Sequence, residues 1–260
     1  MRIPLLIIGA FLWHTDLHAQ GVERVVDLPT RPGVTQRVLF TEVPAARAAV
    51  VLLAGGHGGL QVQNDGSIRW GEGNFLVRSR ALFAMQGVAV AVVDAPSDKQ
   101  SPPHLSGFRQ QPDHVVDIQA VIAWLRETAK VPVWLVGTSR GTQSAAHVAI
   151  SLGTPLGPDG LVLTATILND PRSRPVPAMA LERVRVPVLV VHHQLDACPL
   201  CPYSEVPALL GKLTHAPRVQ AIGMTGGLTR GDPCEAASHH GFNGIEAEVV
   251  SQTVAWMLAK

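Results

Sequence analysis

Residues 137–141 read Gly-Thr-Ser-Arg-Gly. A serine hydroxyl is a weak nucleophile until a neighbouring base takes its proton and a third group orients that base. Ser139 is therefore a candidate whose partners must be found elsewhere in the chain. A nucleophile of this kind needs a strand before it, a helix after it, and small flanking residues that let the backbone turn tightly. "VPVWLV" supplies the strand and "GTQSAAHVAISLG" the helix. The competing reading is an ordinary turn serine whose hydroxyl caps that helix.

The acid and the base are expected later in the chain, in that order. Asp196 follows the apolar run "VPVLVVHH" (186–193) and is the first choice of acid. Asp170, after the preceding run, is the second, and Asp94 lies too early. Near the C-terminus "SHHGF" offers His239 and His240. His240 is preferred, because Gly241 allows a tight turn into the final helix. His192 and His193 end a strand near the site and serve equally as pocket lining or as core. His147 and His215 read as helix or loop residues. An oxyanion needs preorganised backbone N–H donors. The Arg140 N–H, directly after the nucleophile, is one. A second is expected from the turn "AGGHGG", at Gly56, His57 or Gly58. A phosphate-binding loop would need a G-K-[ST] ending or G-x-G-x-x-G spacing, which this turn lacks. The histidine spacings match no zinc signature, so no metal and no organic cofactor are expected.

These residues must be held by regular elements, and the hydrophobic pattern supplies them. "VERVVDL" and "QRVLFTEV" read as two early strands joined at Pro32-Gly33. "AAVVLLAG" (48–55) and "VAVAVVDAP" (88–96) are unbroken apolar runs, the mark of strands buried on both faces. "VPVWLVG", "GLVLTATIL" (160–168), "VPVLVVHH" and "RVQAIGM" add four more. Helices are expected over 74–87, 112–130, from Gly141, in "SEVPALLGKL" and at the C-terminal end. The alternation implies a mostly parallel sheet covered by helices on both faces, with ligands bound beyond the carboxyl ends of the strands. Every candidate above sits at such an end. Between them, "DGSIRWGEG" is a turn-rich excursion whose Trp70 would wall a pocket, and residues 97–112 would cover part of it.

The chain has 260 residues, 47% of them hydrophobic and 16% charged, with a net charge of +1. That is ample material for one core, and it points away from a nucleic-acid partner or a polybasic membrane surface. Residues 1–19 have the form of a signal peptide. Arg2 is followed by about eleven apolar residues and a polar stretch ending at Ala19, too short a run to span a bilayer comfortably. A single domain is expected over 20–260, with no stable membrane insertion once the leader is removed. Cys198 and Cys201 form a C-x-x-C, and Cys234 is the third cysteine. A redox helix or a zinc site would need other surroundings, so a structural disulfide to Cys234 is the favoured reading.

The G-T-S-R-G turn, the glycine-rich turn after the third strand, Asp196 after the penultimate strand and "HHGF" after the last one together resemble the α/β-hydrolase superfamily. The resemblance covers nearly all of 22–260. It is nearest in kind to exported esterase-like and dienelactone-hydrolase-like members, although serine stands where dienelactone hydrolases carry cysteine. It implies an eight-stranded sheet with a minimal lid and an acyl-enzyme mechanism, but it supplies no substrate; with the near-neutral charge, a small-molecule acyl substrate is expected. It leaves esterase, peptidase, acyltransferase and non-catalytic binder open, with a carboxylic ester first, and is silent on oligomeric state. If the triad forms, the acid and histidine loops are neighbours, so Cys198–Cys234 is the expected bridge and Cys201–Cys234 the alternative.

Overall fold

The computed structural model describes residues 22–259. The leader expected over 1–19 lies outside them. Eight strands form one sheet: β1 (Val22–Arg31), β2 (Val34–Glu42), β3 (Ala48–Leu53), β4 (Val88–Val93), β5 (Val133–Thr138), β6 (Gly160–Thr164), β7 (Val188–His193) and β8 (Val219–Met224). Their spatial order is β1-β2-β4-β3-β5-β6-β7-β8. β1 and β2 form an antiparallel hairpin, β2 runs antiparallel to β4, and all other neighbours are parallel.

The unbroken apolar runs are explained by burial on both sides. In β3, Ala49, Val51 and Leu53 face one core while Ala48, Val50 and Leu52 face the other. The first core is closed by α3 (Pro112–Ala129), α4 (Gly141–Ser151) and α5 (Val206–Leu210), through Ile118, Val121, Ile122, Ala145, Ala146 and Leu209. The second is closed by α1 (Phe75–Arg78), α2 (Arg80–Met85) and α6 (Glu246–Leu258), through Phe75, Phe83, Val249 and Trp256. Among the described residues, no helix is long and apolar enough to cross a membrane.

The expected elements differ from the observed ones mainly at their ends. The helix expected over 74–87 is two short helices meeting at Ser79, which ends α1 and opens α2. The strand expected over 160–168 stops at Thr164, because Ala165 takes a left-handed φ of 43° and turns the chain away from the sheet. The segment "SEVPALLGKL" is helical only over Val206–Leu210, after a single 3₁₀ turn. The α3 reading holds to within one residue: Pro112 opens the helix and left-handed Lys130 closes it.

The hairpin is fastened to α3 by one buried carboxylate. Asp117 accepts hydrogen bonds from Thr30 Oγ1 at 2.6 Å and from Arg31 Nε and Nη2 at 2.9 Å. Arg31 also meets Asp98 and Asp113 nearer the surface. An Asp117→Ala variant leaves the Arg31 guanidinium short of its buried partner. It is expected to lose about 3 kcal/mol in urea unfolding, the low end for a broken buried pair, because Asp98 remains.

Candidate active site

Ser139 occupies the sharp turn between β5 and α4 with a φ of 51°, a left-handed value rare outside glycine. Its neighbours make the turn possible. A Cβ on Gly137 would lie 2.5 Å from the Gly141 carbonyl oxygen, and one on Gly141 only 2.0 Å from the Leu53 oxygen. Both glycines are therefore fixed by backbone packing directly on backbone. The Ser139 N–H donates to Thr164 O at 3.0 Å, and the Thr142 N–H donates back to Ser139 O at 2.9 Å. The first turn of α4 has no side-chain cap, so the helix-capping reading of this serine fails.

Asp196 and His240 meet as expected. His240 Nδ1 lies 2.9 Å from Asp196 Oδ2, with both side chains buried. The Cys198 N–H donates to Asp196 Oδ1 at 2.9 Å, so both carboxylate oxygens are engaged. With its Nδ1–H donating to the carboxylate, the neutral ring presents Nε2 as its basic nitrogen. Nε2 is buried and makes no hydrogen bond, so Ser139 is not paired to it in the free chain. His240 is placed by a 3₁₀ turn over 239–241, and its own N–H donates to Ser238 Oγ at 3.2 Å. Gly241 is required here for packing, not for a special φ. A Cβ would lie 2.1 Å from Ala236 O, and the left-handed residue is Phe242 at 56°.

The alternatives are placed elsewhere. His239 stacks on His193, ring centroids 4.1 Å apart. His192 accepts the Thr166 N–H at 2.6 Å and is held to about 4 by burial, so it is a neutral core residue and no pocket wall. Asp170 bonds Arg140 at 2.8 Å, Ser173 and the Arg172 N–H. Burial alone would raise its carboxyl, but these donors outweigh it and bring the group down to about 2. Asp94 accepts the N–H groups of Leu60, Gln61, Val62 and Ala95. It is an anchor for the loop after β3.

The expected disulfide is present: Cys198 is bridged to Cys234, 36 residues away. It ties the loop that carries Asp196 to the loop that leads into His240. Cys201 is free and buried, and its thiol donates to Ala165 O. Burial pushes that thiol well above the ordinary range. Cys198 and Cys201 sulfurs and a His240 nitrogen lie within 4.8 Å of one another. With one sulfur in a disulfide and the other held protonated, the trio offers no thiolate to a metal.

The glycine turn presses against Ser139. A Cβ on Gly55 would lie 2.9 Å from Ser139 Cβ. Among the described residues, the N–H groups of Gly56, His57, Gly58 and Arg140 donate to no protein acceptor. Two features hold this turn, and neither is legible in the chain. His57 is sandwiched between Trp70 and His104, with centroids 3.5 and 4.3 Å away. Trp70 thus braces the turn and is not among the cavity-lining residues. From the other side, buried Arg109 donates to Ala54 O at 3.0 Å, Gly56 O at 3.2 Å and Ser144 Oγ at 3.0 Å. A cavity of about 680 Å³ opens beside the turn, bordered by Gly56, His57 and Arg140 and walled by Leu105–Gly107 and Arg172–Arg174. Residues 97–112 thus form a wall as expected.

No protein-family model matches the chain, and no curated protein matches it. Solved structures do. A serine hydrolase without a lid from Xanthomonas campestris shares 17% identity over 93% of this chain and 97% of its own, with a TM-score of 0.58. A dienelactone hydrolase from Anabaena variabilis shares 15% over 91% and 96%, TM-score 0.62. An esterase from Pyrococcus furiosus shares 13% over 98% and 97%, TM-score 0.63. At such identities the likeness is one of fold.

Two outcomes follow from the loop chemistry. A Cys234→Ser variant frees a 36-residue loop, and chain entropy sets the expected loss at about 3–4 kcal/mol in denaturant unfolding of the oxidised protein. The Asp170 carboxyl is about 2 when folded, against an ordinary value of 3.8. Its stabilisation is complete above the unfolded value and disappears as pH falls through the folded one. The stability gap between wild type and Asp170→Asn is expected to close between pH 4 and pH 2 in acid titrations.

Proposed function

Given the α/β-hydrolase fold of this chain, we propose that it is an exported serine hydrolase that cleaves a carboxylic ester through Ser139, His240 and Asp196. The observation that carries this reading is the buried His240–Asp196 pair, held beside a left-handed serine turn. A carboxylate on Nδ1 leaves Nε2 as the proton acceptor and stabilises the imidazolium that forms. Export is supported by the form of residues 1–19 and by the disulfide, a bond that persists in oxidising compartments.

In this mechanism Ser139 Oγ attacks the acyl carbon while its proton passes to His240 Nε2. The bond between Ser139 and Nε2, not made in the free chain, forms in the substrate complex, where catalytic contacts tighten. The tetrahedral oxyanion is held by the Arg140 N–H and by the N–H groups of the Gly56–Gly58 turn. His240 returns its proton to the departing alkoxide, and the carbon–oxygen bond breaks to leave an acyl-Ser139. Water then attacks the acyl group and gives one proton to Nε2, which passes to Ser139 Oγ as the acid leaves. No step calls on a metal or an organic cofactor.

A fluorophosphonate probe is expected to label the folded protein at Ser139, and Ser139→Ala to abolish the label. An unlabelled wild type would reduce the chain to a binding protein on a hydrolase scaffold. Turnover of 4-nitrophenyl acetate and butyrate beside aminoacyl nitroanilides tests the ester class, and anilide cleavage without ester cleavage overturns it. Asp196→Asn is expected to lower kcat by about 10³–10⁴-fold, through loss of the productive tautomer.

A further inference from the structure

The cavity beside Ser139 is far more cationic than the chain around it. The whole protein has a net charge of +1, yet Arg109, Arg140, Arg172 and Arg174 all line this one space. Among the described residues one carboxylate answers them, Asp170 on Arg140. Arg174 Nε donates to Gln110 Oε1, a neutral acceptor, at 2.6 Å. The Arg172 guanidinium, exposed at the rim, makes no hydrogen bond to the described residues.

Arg109 is the telling member. It is 5% exposed, and its described acceptors are the backbone carbonyls of Ala54, Gly55 and Gly56 and a serine hydroxyl. Burying a cation without a counter-charge is costly, and such groups are normally paired. Burial first, then the Arg140 charge, bring the guanidinium down to about 9. Arg109 anchors the oxyanion turn through neutral acceptors, so the missing partner is charge and not geometry.

The position of the cavity says what the anion is attached to. Arg140 adjoins Ser139 in sequence, and Gly56 adjoins Gly55, whose Cβ position is in contact with Ser139. A group filling the cavity is therefore part of the molecule whose carbonyl sits at Ser139. We infer that the ester cleaved here carries an anionic group, a carboxylate first, which seats among these four arginines while the scissile carbonyl lies at Ser139. This rests on the hydrolase reading above. Guanidinium groups suit such an anion because their planar N–H pairs match carboxylate and phosphate oxygens. The cavity volume is within the range of small-molecule sites. The anion takes no part in bond making and acts by positioning.

The test compares matched esters on the intact protein. 4-Acetoxybenzoate against phenyl acetate places the charge on the leaving group, and 4-nitrophenyl hydrogen adipate against 4-nitrophenyl hexanoate places it on the acyl side. One anionic member is expected to exceed its neutral partner in kcat/KM by about tenfold or more, with rising ionic strength erasing the advantage. The double variant Arg172→Gln, Arg174→Gln changes only exposed side chains. It is expected to cut the anionic-to-neutral ratio by about tenfold, chiefly through KM. Competition by adipate and by inorganic phosphate distinguishes carboxylate from phosphate recognition. Neutral esters cleaved as well as both anionic ones, or a ratio untouched in the double variant, overturns the inference and leaves the hydrolase standing. If neither ester class is turned over, the hydrolase reading fails, and calorimetry of adipate binding to the Ser139→Ala protein still decides the anion site. Saturable binding that weakens in the double variant supports it, and no binding ends it.

Discussion

The left-handed turn at Ser139 exists because backbone is packed on backbone on both sides of it. A residue other than glycine in this conformation stores of order 1–3 kcal/mol, so it persists only where its surroundings leave no alternative. Here those surroundings are the Leu53 carbonyl at the end of β3, against Gly141, and the first turn of α4, against Gly137. Gly55 then brings the following turn against the serine itself. The approach distances are set by the registers β3–β5 and β5–β6, which align Leu53 with Gly137 and Thr138 with Thr164. The sheet thus acts on the serine through close contact between main chains, with little left to side-chain choice.

Around that turn the two charged systems are kept apart. Asp196 and His240 approach from the β7 and β8 side, on loops joined by Cys198–Cys234, and hydrogen-bond one another with both side chains buried. The arginines come from other segments: Arg109 from 97–112, Arg140 from the serine turn, and Arg172 and Arg174 from the segment after β6. Asp170 stays with Arg140 and Ser173, away from the imidazole. A carboxylate shared between the two systems would serve neither, since a guanidinium on Asp196 would draw it from His240.

Much of this was legible because burial leaves a plain mark. β3 and β4 are apolar at every position because both faces are covered, and α3 carries its apolar residues on one side. Ser139, Asp196 and His240 could be picked by position, since each follows a strand end and only certain orders close a triad. Other features depend on contacts between distant segments and leave no local trace. Nothing in "HLSGFRQQP" distinguishes Arg109, which is buried, from an ordinary loop arginine. Asp94 has the look of a catalytic acid and is instead consumed by four backbone N–H groups. Trp70 was expected at a pocket and is spent on the His57 ring. Ser79, fully buried, ends α1 and opens α2 where the apolar periodicity runs on unbroken.

The cavity wall formed by Arg172–Arg174 is built from residues that no strand or helix requires. They project from the excursion between β6 and β7, exposed, with the sheet complete beneath them. The serine turn is the reverse case: at Gly137 and Gly141 even one added carbon collides with main chain. The molecule therefore divides into a part that tolerates almost no substitution and a part that tolerates many. A lineage carrying this fold is free to alter the cavity wall, one loop residue at a time, while the serine turn and its geometry stay untouched.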